Sequence, residues 1–230
     1  MTIREFAEQP LFGVSLTILS YAAALGLQQR WKGLHPLLTC SLMVMGVLLL
    51  MHLPYEVYRK GGEYIVFLLG PATVALGVPL YKNAQRIRRS FLPILAGVSA
   101  GSLSSLLLAA GLVWALGGSR ELLLSMMPKS VTSPVAIEIS RQAGGFYELT
   151  AVLTVLTGLL GSLFGPAFLR LSGVHGDIAV GTAIGTASHG IGTARIIRDS
   201  ELAGSVSGFA MGAAAIITSL LFIPLYGWLR

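Results

Sequence analysis

The chain has 230 residues, 54% hydrophobic and 11% charged, with a formal net charge of +6 and a mean hydropathy of +0.76. A typical soluble domain carries about 25% charged residues, so the composition excludes a soluble globular protein and describes one that crosses a membrane repeatedly. The positive charge is scattered, with no basic run interleaved with aromatics, which argues against nucleic acid as a partner. The single cysteine, Cys40, excludes a disulfide framework.

In lipid every backbone polar group must be bonded within the protein, so apolar stretches of about 20 residues read as helices. The first is 10–27. Glu5 and Glu8 against Arg4 ahead of it, with Arg30 and Lys32 just behind, argue for a retained span over a cleaved export signal. The second span, 35–53, is followed by a charge-balanced loop holding Glu56, Arg59, Lys60 and Glu63. The third, 64–81, is interrupted by Pro71, Gly77 and Pro79 and runs into Lys82, Arg86, Arg88 and Arg89. This is the most basic loop and is placed in the cytoplasm. The fourth span, 91–116, is rich in Gly, Ala and Ser between Ala96 and Ser105, a composition that lets helix backbones approach closely. The fifth lies between Arg120 and Arg141, and the rest are 146–169, 178–197 and 206–229.

The expectation is an all-α polytopic membrane protein of about eight transmembrane segments with broken helices. One integral membrane domain covers 1–230, with both termini outside and Arg141, Arg195 and Arg198 on the cytoplasmic side. A re-entrant fifth segment would reverse the parity of everything after it. Weak echoes about ninety positions apart, between His35-Pro36-x-x-Thr39-x-Ser41 and Met127-Pro128-x-x-x-Thr132-Ser133, suggest inverted three-helix repeats at about 36–116 and 126–200.

The fifth segment carries the chemistry. Its centre reads Met127-Pro128-Lys129-Ser130-Val131-Thr132-Ser133-Pro134, and a proline inside a helix removes a hydrogen bond and clashes with the preceding turn. Such a break survives at membrane depth only where it is buried in protein or lines a cavity. Thr132-Ser133-Pro134 reads as a fresh helix start, with a hydroxyl N-cap and proline at the first position. Its amides would suit an anion. Lys129, far from either end of the span, costs roughly 2.5–3.5 kcal/mol on insertion scales, which marks it as a binding residue over a snorkelling one. Glu138 is read as a structural partner of Lys129 or Arg141. A second group, Gly185-Thr186-Ala187-Ser188-His189-Gly190-Ile191-Gly192-Thr193-Ala194-Arg195, surrounds a lone membrane histidine with small residues. The candidate substrate-binding set is Lys129, Ser130, Thr132, Ser133, Ser188, His189 and Thr193. No His/Cys/Asp/Glu spacing suits a metal, and no nucleophile elbow or phosphate loop is present, so neither cofactor nor enzyme activity is expected. Proton or sodium coupling is the expected energy source, with His189 the residue to titrate.

Both blocks, together with Pro71-Ala72-x-Val74-Ala75-Leu76-x-x-Pro79-Leu80-Tyr81, resemble the signatures of the LrgB/CidB family over nearly the whole chain. One departure is His35-Pro36-Leu37-Leu38, where the family usually opens with Asn-Pro-Leu-Leu. The resemblance implies a bacterial inner-membrane protein that forms homo-oligomers and acts beside a small holin-like partner of LrgA/CidA type. It also implies two competing roles. One is holin/antiholin-like control of murein hydrolases and lysis. The other is carriage of glycolate, glycerate, lactate or pyruvate, as in plastid and bacterial relatives. The charged, broken fifth segment favours the carrier.

Overall fold

In the computed structural model, residues 8–31 and 34–228 are described; Arg4, Glu5, Lys32 and Leu229 lie outside them. The described residues form helices and contain no strand. They divide into two compact units, Met1–Ala75 and Leu76–Arg230.

The N-terminal unit holds α1 (Pro10–Arg30), α2 (Pro36–Leu50), α3 (Tyr55–Phe67) and α4 (Leu69–Ala75). Prolines open α1 and α2, where the missing amide costs nothing. α1 and α3 cross with almost no gap. A Cβ on Gly13 would stand 2.6 Å from the Tyr58 carbonyl oxygen and 2.9 Å from the Gly61 Cα. Thr17 Oγ1 donates to the Gly13 carbonyl at 2.8 Å, so its 2.9 Å bond with Tyr58 is donated by the phenol. The charges expected in a loop after the second span instead lie on α3, where Arg59 Nε donates to Glu63 Oε1 at 2.9 Å in the open. The apolar stretch Tyr55–Lys82 therefore begins earlier than expected, and its Gly and Pro residues break it into α3, α4 and α5.

The C-terminal unit continues with α5 (Gly77–Lys82), α6 (Ala84–Arg89), α7 (Phe91–Ala115) and α8 (Arg120–Met126). A 3-10 turn (Met127–Ser130), α9 (Ser133–Ala143), α10 (Tyr147–Leu171), α11 (Asp177–Ile196) and α12 (Glu201–Trp228) complete it. α7, α10 and most of α12 are long and apolar enough to cross a bilayer, as are α1 and Tyr55–Lys82 in the chain before them. α2 is a shorter apolar helix. α7 and α12 run the same way: Ile94 and Val98 cluster with Val206, Ala210 and Ala214, while Leu106 and Val113 cluster with Phe222.

Two of the eight expected crossings turn back instead. Ser125, on α8, sits beside the far end of α9: the Phe146 amide donates to its hydroxyl at 2.7 Å, and Thr150 Oγ1 lies 3.0 Å from its carbonyl oxygen. A straight rod would hold residues 125 and 145 roughly 30 Å apart at 1.5 Å per residue. α8, the 3-10 turn and α9 thus form a hairpin that enters and leaves at the end of the unit where Val113, Leu123, Ala143 and Phe222 pack. Arg141 lies at that end, not beside Arg195 and Arg198 as expected.

α11 folds back as well. His189 has φ 41 and ψ −138, which splits α11 into arms 177–188 and 190–196. Thr193 Oγ1 bonds Ser207 Oγ at 2.7 Å, while a Cβ on Gly185 would clash with the backbone of the same Ser207. In one straight helix residues 185 and 193 would stand roughly 12 Å apart along the axis. Ile196 returns to pack with Ile184, Val180 and Leu169. This second hairpin therefore opens at the opposite end from the first.

Candidate functional site

Each hairpin is held at its base by buried hydroxyls. In the first, Ser125, Ser140 and Thr150 are all fully buried. Ser125 Oγ donates to the Glu121 carbonyl at 2.6 Å, and Thr150 Oγ1 reaches Ser140 Oγ at 2.8 Å. In the second, Thr193 Oγ1 donates to the His189 carbonyl at 2.8 Å, so the Ser207 hydroxyl donates to Thr193. Buried polar groups left unmet would cost about 1–3 kcal/mol each, so these bonds specify the fold-back.

The first tip is where the sequence places its break. The 3-10 turn ends at Ser130, Val131 is extended (φ −92, ψ 176), and α9 starts with Thr132 as N-cap and Pro134 in its first turn. The Thr132 hydroxyl makes no capping bond, so the first α9 amides keep their capacity for another acceptor. Met127, Pro128 and Val131 are buried, and the turn packs against α7, α10 and α11. Lys129 is half-buried, and its Nζ donates to Ser130 Oγ at 3.4 Å. Ser130 Oγ in turn bonds Ser105 Oγ at 2.7 Å. Ser105 is near the middle of the 25-residue α7, which sets the tip at mid-depth. Glu138 is exposed and pairs with Arg141 at 3.6 Å, so it does not neutralise Lys129.

The second tip meets the middle of α10. His189, 4% exposed, bonds the Thr154 carbonyl through Nε2 at 3.0 Å. A carbonyl only accepts, so Nε2 carries the hydrogen in that bond. A Cβ on Gly158 would lie 2.6 Å from the His189 ring, and one on Gly161 would collide with the Ser188 hydroxyl. Glycine alone lets this tip seat. The Ser188 hydroxyl, 1% exposed, has no hydrogen-bond partner. His189, with a positive φ that a side chain resists, stores strain of order 1–3 kcal/mol.

The candidate residues therefore fall into two groups. Lys129, Ser130, Thr132 and Ser133 form the first tip. Ser188, His189 and Thr193 form the second, where Thr193 serves as a pin. The turn and α11 pack together, but no hydrogen bond joins Lys129 to Ser188 or His189. Sequence reasoning missed Ser105, Thr154, Gly158, Gly161 and Ser207. A readable signal was Gly158-x-x-Gly161-x-x-x-Gly165, one helix face of α10 without side chains. A cavity of about 750 Å³ in the N-terminal unit is lined by residues of that unit, including Thr17, Tyr21, Cys40 and Tyr58, none of them charged. With no charge to meet an anion, it does not compete with the Lys129 tip for one.

Residues 17–228 match the model of the LrgB-like family. The chain is 39% identical over 220 residues to the uncharacterized protein YxaC of Bacillus subtilis (strain 168), covering 94% of each. It is 35% identical to the holin-like protein CidB of Staphylococcus aureus (strain N315), over 93% of this chain and 94% of that one. It is 32% identical to the holin-like protein CidB of Staphylococcus epidermidis, over 93% and 94%. No solved structure matches.

Proposed function

The chain belongs to the LrgB-like family, and from that premise we propose that it is a carrier of small monocarboxylates such as glycolate, glycerate, lactate or pyruvate. The supporting observation is the pair of opposed hairpins, one bearing Lys129 at mid-depth, where no carboxylate among the described residues pairs with it. An ammonium in hydrocarbon is tolerated when it is offset, and a substrate carboxylate would supply the offset. The uncapped α9 amides would take its oxygens. Ser188 offers an unused hydroxyl near the second tip, and proton coupling would use His189 Nδ1, since Nε2 is engaged.

Charge supports an orientation. One end of the C-terminal unit gathers Lys82, Arg86, Arg88, Arg89, Arg170, Arg195 and Arg198, against Asp177, Asp199 and Glu201. The other end holds Arg120 and Arg141 against Glu121, Glu138 and Glu148. The positive-inside rule puts the first end in the cytoplasm of a plasma (inner) membrane. The far end of α12 would then be outside, and with the 15-residue α2 counted as a sixth full crossing the start of α1 would lie there too.

Proteoliposomes containing wild type should accumulate labelled glycolate or pyruvate, and Lys129→Ala should reduce uptake at least tenfold at equal protein incorporation. Equal uptake by the two would remove Lys129 from the mechanism. The names of the staphylococcal relatives favour a second reading, a holin-like regulator of lysis acting through oligomers and a small membrane partner. That reading expects size-tolerant dye leakage, indifferent to Lys129→Ala.

A further inference from the structure

The middle of α7 carries two serines, Ser102 and Ser105, which the sequence reading used only as small residues. They are three positions apart, and residues at that spacing share a helix face. Ser105 Oγ is 2.7 Å from Ser130 Oγ, and Ser130 Oγ is 3.4 Å from the Lys129 ammonium. Ser102 is 3% exposed, and its hydroxyl has no partner. A buried hydroxyl left unsatisfied at mid-membrane calls for an explanation. Serines in such helices commonly bond a carbonyl one turn back, as Thr182 and Thr186 do here at 2.7 Å; Ser102 does not. Ser105 meets the first hairpin, where the ammonium and the bonded pair of hydroxyls come together, and the free Ser102 hydroxyl lies one helical turn away along α7.

The geometry points to a hydroxyl-reading subsite built by Ser102 and Ser105, which selects monocarboxylates bearing an oxygen on the carbon next to the carboxylate. The inference rests on the carrier reading above and deepens it. With the carboxylate against Lys129, the neighbouring oxygen enters the Ser105–Ser130 pair, and Ser102 gains the partner it lacks. An acid without that oxygen would leave these hydroxyls buried and unmet. A site built to bond a substrate hydroxyl rejects the analogue lacking it far more strongly than an apolar pocket rejects a missing methylene.

Lactate and propionate differ only in that hydroxyl. Uptake of each, labelled, into proteoliposomes would be measured for wild type, Ser105→Ala, Ser102→Ala and Ser105→Thr. Wild type should prefer lactate at least tenfold in kcat/KM. Each alanine variant should bring the ratio to within about threefold, through lower lactate uptake, higher propionate uptake or both, and Ser105→Thr should restore the preference. A wild-type ratio in both alanine variants overturns the inference, as does an equal loss of both acids, which would mean a packing role. Equal handling of the two acids by wild type overturns it while leaving the carrier standing. Uptake of neither acid, nor of glycolate or pyruvate, removes the carrier reading itself.

Discussion

Gly185→Ala tests the fold-back of α11 more directly than any change at the tips. A Cβ at this position would lie 2.9 Å from both the carbonyl carbon and the Cα of Ser207, and closer still to its carbonyl oxygen. These are backbone atoms, so no rotamer change relieves the contact. Ordinary van der Waals separation begins near 3.4 Å, so relieving the contact with the Ser207 carbonyl oxygen requires α11 and α12 to part by about one ångström. Overpacking of this kind costs about 1–3 kcal/mol. The same displacement stretches the 2.7 Å bond between Thr193 and Ser207, worth a further 0.5–1.5 kcal/mol or about that. A total of about 2–4 kcal/mol lowers the melting temperature by roughly 5–15 °C for a chain of this size. Thermal unfolding in detergent, followed by size-exclusion recovery, reads this shift. Gly212→Ala is the control, because nothing lies within 4 Å of its Cβ and alanine is the better helix former. A Gly185→Ala variant melting within 2 °C of wild type (about the shift of the smallest credible clash) would refute the double contact at Ser207, and with it the hairpin.

Further outcomes follow from the same geometry. His189→Gly should be more stable than His189→Ala by about 1 kcal/mol, since both lose the bond to Thr154 but only glycine adopts φ 41 freely; equal melting temperatures would show the kink unstrained. Single cysteines at Arg120 and Gly144, in a Cys40→Ser background, should be labelled by an impermeant thiol reagent from one and the same side of the membrane. Labelling from opposite sides would restore a full fifth crossing.

Much of the helical layout was legible because lipid imposes it. Apolar length marks α1, α7, α10 and α12, and the prolines around Lys129 mark the first break. Hydropathy reports where a segment is buried and says nothing of whether it turns back, so the first hairpin was readable only as an open alternative. The second break was hidden for a different reason. His189 lacks proline, and its flanking glycines, Gly190 and Gly192, read equally well as a close-packed straight helix. What sets the kink is an α10 face emptied by Gly158 and Gly161, which is tertiary information. Likewise the Ser105–Ser130 bond joins positions 25 apart, and no local pattern announces it.

The two hairpins differ in a way that bears on how such a site opens. The second is the more deeply packed, with Gly181, Ile184, Gly185, Thr186, Ser188, His189, Gly192 and Thr193 buried, while Ala179, Ala187 and Ala194 remain exposed. The first has a return arm, α9, with Pro134, Glu138 and Arg141 exposed, flanked by the extended pair Val131 and Thr132 and by Gly144 at φ 84. Few buried contacts mean a low free energy of local opening. α9 is bounded by two non-helical joints, so it can tilt as a unit without breaking its own hydrogen bonds. Under the carrier reading, the Thr150–Ser140 bond at its base would be the pivot, and the tip to move would be the one carrying the uncapped amides that follow Lys129 in the chain.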